Sequence, residues 1–292
     1  MISIACTSEV TGLAFAPNGQ WLAVACDRSV VRVFDLATTQ QVHKLSTPFQ
    51  IITAIDYSPD GRHIAVGGVT TPGGPVQWWR FDQLDRPLRS DPHDLRCKAV
   101  AFSPDNEHLY SLSYSAMFRH RLRDATIDRR HLENGIHACA VDAQGCPFVL
   151  FDSGDVKRFE PDLSRPFRVV TVPPPIGLSG DLHDIVMLPD RGGIAAACGS
   201  HLAVWDGPSA KTPRIWNSSG AKLLRLVVTP NCSQLLAAGP GGTVGIWDTA
   251  TLRMVAELDW QIGDIFSLAI SNDGLTAAAG GLNRIVVWDV GE

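Results

Sequence analysis

Short apolar runs alternate along the chain with turns rich in glycine, proline, asparagine and aspartate, and almost no stretch carries a helical period. Residues 265–289, IFSLAISNDGLTAAAGGLNRIVVWD, show the pattern most clearly. An apolar run leads into an Asn-Asp-Gly turn, and a second run of small apolar residues follows. After a glycine-bearing turn a third run ends in Val286-Val287-Trp288-Asp289. This arrangement predicts three short antiparallel strands joined by tight turns.

The rest of the chain repeats it. Copy one runs from Val10 through Ala16-Pro17-Asn18-Gly19 and Leu22-Ala23-Val24-Ala25 to Phe34-Asp35. Copy two has Ser58-Pro59-Asp60-Gly61 and closes on Trp79, and copy three has Ser103-Pro104-Asp105 and closes near His120. Copy four turns at Ala143-Gln144-Gly145 and closes on Phe159-Glu160. Copies five, six and seven end in Trp205-Asp206, Trp247-Asp248 and Trp288-Asp289. The closing positions 34, 79, 120, 159, 205, 247 and 288 are 39 to 46 residues apart, near 42 on average. Outer runs such as Gln41–Leu45 and Met254–Leu258 add a fourth strand to each unit. A period of about 40–45 with four strands per unit is that of a propeller blade. The expected fold is all-β, a single seven-bladed β-propeller over residues 1–292. Its repeats fall near 7–47, 48–92, 93–131, 132–177, 178–218, 219–260 and 261–292 plus 1–6.

Proline followed by Asp or Asn and then Gly suits a tight turn, because proline presets φ and glycine takes the left-handed position. The alanines of Ile194–Ala197, Leu235–Ala238 and Thr276–Ala279 let neighbouring sheets approach where the ring narrows, and the closing aromatics fill the wider space further out. Gly67–Gly74 reads as the longest inter-strand loop, and the glycine pairs at 67–68, 73–74, 241–242 and 280–281 read as turns. Copy seven ends too early for its own outer strand. Met1–Ala5 is therefore predicted to pair with Ile285–Trp288 and close the ring, covering an otherwise open sheet edge. Deleting residues 1–6 should lower the melting temperature sharply, which a thermal melt checks directly.

With its Trp-Asp dipeptides at 205–206, 247–248 and 288–289, Phe34-Asp35, and Ser-Pro-Asp turns at 58–60 and 103–105, the chain resembles the WD-repeat family over its whole length. The resemblance implies a ring that binds other proteins rather than an enzyme. Typical members keep in each blade a His before the first strand, a Ser or Thr in the second, an Asp in the next turn, and the Trp. Eleven residues before the turn's proline slot, only copy three has the histidine, His93; the others have Cys6, Pro48, Leu132, Leu178, Ser219 and Gln261. The turn aspartate survives as Asp27 and Asp152. Stability is therefore expected from apolar packing and ladder hydrogen bonds.

The chain is 45% hydrophobic and 19% charged, a globular composition. Its net charge of −5 gives no overall attraction for nucleic acid or anionic lipid. No apolar run approaches the roughly 18 residues of a membrane span, and the N-terminus lacks a basic leader region. Seven cysteines without a CxxC pair read as free thiols in a reducing cytoplasm, with the nucleus as the alternative.

No phosphate-binding loop, nucleophile elbow or dinucleotide fingerprint opens a helix. Neither His93-Asp94 and His183-Asp184 nor the group His120, His131 and His137 offers a ligand spacing, so no metal, cofactor or catalytic residue is assigned. Arg119–Arg130 (RHRLRDATIDRR) carries five arginines against two aspartates. Arg119, Arg121, Arg123, Arg129 and Arg130 form a basic edge: a solvated strand whose charges discourage aggregation, or a secondary contact for phosphate or an acidic peptide. Trp78 points away from Trp79, and Trp260 has no core assignment and reads as a candidate binding aromatic.

The favoured reading is a non-catalytic platform, monomeric on its own, that binds a protein or peptide at the axial loop face. By register those loops present Arg28, Asp94, Tyr114, His137, Asp152, Asp184, His201, Lys222, Trp260, Asp264 and Asn283. The alternatives are a propeller enzyme or small-molecule binder with a site at the central mouth, for which Asp94, Asp184 and Asp264 are the candidate acidic trio, or the sensor domain of a longer polypeptide.

Overall fold

A computed structural model describes residues 1–26, 28–71, 76–90, 96–132, 135–171, 182–190, 192–207, 210, 212–217 and 222–291, and among these there is no helix. Their 28 strands form seven four-stranded antiparallel sheets. These are blade 1 (12–46), blade 2 (51–90), blade 3 (99–131), blade 4 (136–171), blade 5 (182–217), blade 6 (225–259) and blade 7 (267–289 with Ile2–Ala5). Each first strand touches the first strand of the next blade all the way round, blade 7 to blade 1 included. The chain is a seven-bladed β-propeller. The N-terminal strand closes it in the expected place, with Ile2 opposite Val287 and Ile4 opposite Ile285.

The core is divided as a radial ring requires. Seven apolar clusters fill the seven junctions between neighbouring blades. Alternation along each strand feeds the junction on either side. Ala195 and Ala197 face blade 6 while Ala196 faces blade 4. The closing aromatics Phe34, Trp79, Phe159, Trp205, Trp247 and Trp288 each fill the junction with the preceding blade. Trp78, fully buried, faces blade 3 instead. There it lies 5.6 Å from the ring of His120, the residue in blade 3's closing slot. Burial pushes the His120 pKa down to about 4, and its Nε2 meets Ser111 Oγ at 2.7 Å.

Two polar devices recur at the turns. In the first, Ser58, Ser103 and Ser271 donate to the aspartate two residues on and accept the N–H of the residue that opens the second strand. In the second, the aspartate after the closing aromatic caps the next turn. Asp35 Oδ1 accepts from the Thr38 N–H and hydroxyl at 2.9 and 3.0 Å, and Asp248 Oδ1 does so from Thr251 at 2.7 Å each. The indole N–H groups of Trp205, Trp247 and Trp288 are buried with no acceptor among the described residues, so these blades hold together through apolar contact and ladder bonds. Asp152 does pair with a histidine, but it is His137 on blade 4's first strand and not residue 132. His93 and Asp27 lie outside the described residues.

The glycine reading needs correction. Gly241 and Gly242 are turn residues, with φ of 104° and 80°. Gly67 and Gly68, however, lie within the strand His63–Val69, and Gly280 ends the strand Thr276–Gly280. A Cβ on Gly67 would sit 2.5 Å from Cys97 Sγ, and one on Gly280 2.5 Å from Val10 Cγ1. These glycines let adjacent blades close. The remaining pair, 73–74, lies outside the described residues.

Candidate functional site

The first strands surround a channel along the ring axis. Where these strands begin, a cavity of about 440 Å³ is lined by residues including Thr11, Thr53, Arg96, Lys98, His137, His183, Asp184 and Arg225. Where they end, a second cavity of about 350 Å³ is lined by residues including Phe15, Tyr57, Phe102 and Leu268, with Asp56 among them. The two ends of the channel therefore differ in chemistry.

The mouth is cationic. Arg96 is exposed just before blade 3's first strand (Ala99–Phe102). Lys98 is half-buried; its Nζ donates to the Ile136 carbonyl and lies 5.0 Å from the centre of the Tyr114 ring. Burial lowers the Lys98 pKa, against the raising influence of Asp152. Arg225 donates from Nη1 to the Leu224 carbonyl at 2.9 Å. Among the described residues no carboxylate lies within ion-pair distance of these three cations. Asp184 is the one carboxylate among the described residues of this wall, and it is committed to backbone. Oδ1 accepts the Ile185 N–H and Oδ2 the Leu226 N–H of blade 6, each at 2.9 Å. Burial raises its pKa, opposed by nearby Arg225.

At the far end Asp56 makes the same kind of bond, accepting the Phe102 N–H of blade 3 at 3.0 Å. It touches the channel but sits deep in the ring, and burial pushes its pKa up to about 7. Cys139 on the mouth wall is not an activated thiol, since burial pushes its pKa up to about 12. Asp105, Glu107 and His108 come close enough together to suggest a metal site, but Asp105 Oδ1 already accepts from Ser103 Oγ and the Glu107 N–H to hold its turn.

Of the residues expected at the loop face, His137 and Asp184 line the mouth cavity. Asp184 is no loop residue. It lies in the strand Leu182–Leu188 beside a register shift and ties blade 5 to blade 6. Trp260 is a core residue, half-buried with its ring 4.6 Å from that of Trp288. Tyr114, Arg28, Asp152, Lys222 and Asn283 are exposed at this end, His201 Nδ1 meets Ser200 Oγ at 3.2 Å, and Asp264 accepts the Gly241 N–H at 3.0 Å. Asp94 lies outside the described residues.

The basic edge is largely committed to structure. Arg119 binds Asp128 Oδ2 and the Pro161 carbonyl, and Arg130 binds the carbonyls of Leu163 and Ser164, so both hold a turn of blade 4. Arg121 and Arg123 flank Asp124, and Arg129 lies 5.4 Å over the Phe118 ring. The sequence reading missed Arg96, Lys98, His183 and Arg225. A signal was available: the position six before the turn's proline slot holds Thr11, Thr53, Lys98, His137 and His183, all on the mouth wall.

Residues 3–60 match the family model of the anaphase-promoting complex subunit 4 WD40 domain. The UBP9-binding protein bun62 of Schizosaccharomyces pombe is 33% identical over 61 residues, 21% of this chain and 11% of that protein. The ribosome biogenesis protein ERB1 of Malassezia globosa is 32% identical over 93 residues, 32% of this chain and 10% of that protein. An uncharacterized WD repeat-containing protein of Deinococcus radiodurans is 28% identical over 86 residues, 27% of this chain and 33% of that protein. The matched stretch is thus about a tenth of bun62 or of ERB1. With the seven four-stranded blades, these matches show a seven-bladed β-propeller that is similar to WD-repeat proteins.

Proposed function

We propose that this protein is a non-catalytic platform that binds another protein or a peptide across the channel mouth. The observation that carries the reading is the mouth itself, a cavity of about 440 Å³ with polar side chains from several blades converging on it. A closed ring presents such a surface with little ordering cost on binding. One relative is named for binding a protein and another for ribosome biogenesis; both names suit a platform, and neither identifies this chain's partner. The cysteines, free of disulfides, suit a reducing compartment such as the cytoplasm or nucleus.

The test is a pull-down from the native source at ~0.15 M salt, a physiological ionic strength, comparing wild type with Tyr114→Ala/Lys222→Ala/Asn283→Ala. These side chains are exposed, so the variant keeps its fold, whereas Asp184 and Trp260 hold blades together and would confuse the outcome. A protein recovered by wild type and lost by the variant supports the platform and its face. Equal recovery by both removes this face from the reading.

A further inference from the structure

We propose that the channel mouth receives an acidic side chain of the bound protein, a carboxylate or a phosphate ester, held by Arg96 and Lys98 at the entry to blade 3 and by Arg225 of blade 6. The proposal rests on the platform reading and adds the chemistry of the group that enters.

Three observations carry it. First, the cations come from blades 3 and 6 and line one cavity, where among the described residues they outnumber carboxylates three to one. Second, that single carboxylate, Asp184, spends both oxygens on backbone N–H groups, and Asp152 is taken by His137. The cations keep donors to spare: Arg225 shows one backbone hydrogen bond, Lys98 one backbone bond and a ring contact, and Arg96 has no hydrogen-bond or ion-pair partner among the described residues. Third, the wall is partly enclosed, where a charge-assisted hydrogen bond is stronger than on open surface. A bound anion would also offset the desolvation that burial imposes on the Lys98 ammonium.

The setting favours a single acidic group over a polyanion. The chain carries 25 Lys and Arg against 30 Asp and Glu. Asp152, Asp155, Asp259 and Asp264 lie at the loop end of their blades, on the same face of the ring as the mouth. A nucleic acid strand crossing the face would meet these carboxylates, whereas one side chain entering the mouth meets the cations.

The test uses three fluorescein-labelled octapeptides, identical except for a central pair: Glu-Glu, phosphoserine-phosphoserine or Gln-Gln. Fluorescence anisotropy on the full chain should show binding of an acidic peptide and none of the Gln-Gln peptide, with affinity falling as salt rises. The tighter of the two acidic peptides identifies carboxylate or phosphate as the natural group. Arg96→Ala/Lys98→Ala/Arg225→Ala should weaken binding roughly tenfold or more. Arg96→Gln/Arg225→Gln, which leaves half-buried Lys98 in place, should show a smaller loss, and Arg123→Ala none. Equal affinity for Gln-Gln, binding unchanged in the triple variant, or no binding by either acidic peptide overturns the proposal.

The pull-down separates this from failure of the platform itself. A partner kept by the triple cation variant but lost from the Tyr114/Lys222/Asn283 variant overturns the anion assignment and leaves the platform. A partner kept by both variants overturns the mouth as the platform's binding face, and with it the proposal that a partner's acidic group enters there.

Discussion

The molecule has two basic regions, and they stand in opposite relation to their surroundings. At the rim, Arg119–Arg130 gathers its positive charge in one conspicuous run, yet Arg119 and Arg130 are fastened to Asp128 and to blade 4 carbonyls, and Arg121 and Arg123 flank Asp124. At the mouth, the pair Arg96 and Lys98 comes from a stretch of chain distant from Arg225, yet all three share one cavity and have no ion-pair partner among the described residues. Charge density along a chain therefore says little about which charges are free to bind. What matters is whether nearby acceptors have already satisfied the donors.

The comparison breaks first at the rim. Arg119→Ala/Arg130→Ala removes charge-assisted bonds to carbonyls at the turn of blade 4, so it should cost about 3 kcal/mol of stability in urea unfolding. Most of that loss belongs to the carbonyl contacts, because Asp128 is exposed and an exposed ion pair contributes little. Unchanged stability together with weakened binding of the acidic octapeptides would exchange the roles of the two regions.

What the sequence disclosed follows from what repeats. The ring was legible because each blade carries the same apolar runs, turn and closing aromatic, and the closure by Met1–Ala5 followed from a missing outer strand. Individual side chains were harder. Sequence register places Asp184 and Trp260 on the axial loops, but Asp184 lies in a first strand beside a register shift and accepts the Leu226 N–H, and the Trp260 ring packs against Trp288. The glycines at 67, 68 and 280 looked like turn residues because composition does not distinguish a turn from a close approach of neighbouring blades. The mouth cations were missed for a third reason: Lys98 and Arg225 look like ordinary strand residues until the ring brings blades 3 and 6 to one axis.

The far end of the channel sharpens the comparison with a charge of opposite sign. Burial raises the Asp56 pKa from 3.8 to about 7, so the folded protein holds a proton that the unfolded chain releases between about pH 4 and 7. Stability from this group is fully present at low pH and falls as pH rises through that window. Asp56→Asn keeps an oxygen that can accept the Phe102 N–H and removes the charge. The variant should be roughly 1–2 kcal/mol more stable than wild type at pH 8, with a flatter dependence from pH 4 to 7. Denaturant unfolding at pH 4, 6 and 8 checks both the sign and the window; a variant less stable at pH 8 would show that the charged carboxylate holds blades 2 and 3 together.

The smallest effect is the most informative about the mouth. Arg96→Ala and Arg225→Ala, measured singly, should each change stability by no more than about 0.5 kcal/mol, the range of surface substitutions that remove no packed or paired group. Arg96 is exposed, and Arg225 gives up one bond to its neighbour's carbonyl and its proximity to Asp184. Removing a mouth cation also relieves repulsion among like charges around one cavity, which offsets part of any lost contact. A loss as large as that at the rim would mean that Arg225 neutralises Asp184 and is spent on the fold, leaving Arg96 and Lys98 alone to face a ligand. Unchanged stability at both positions leaves Arg96 and Arg225 with no structural task, and binding as the remaining reason for their place on the wall.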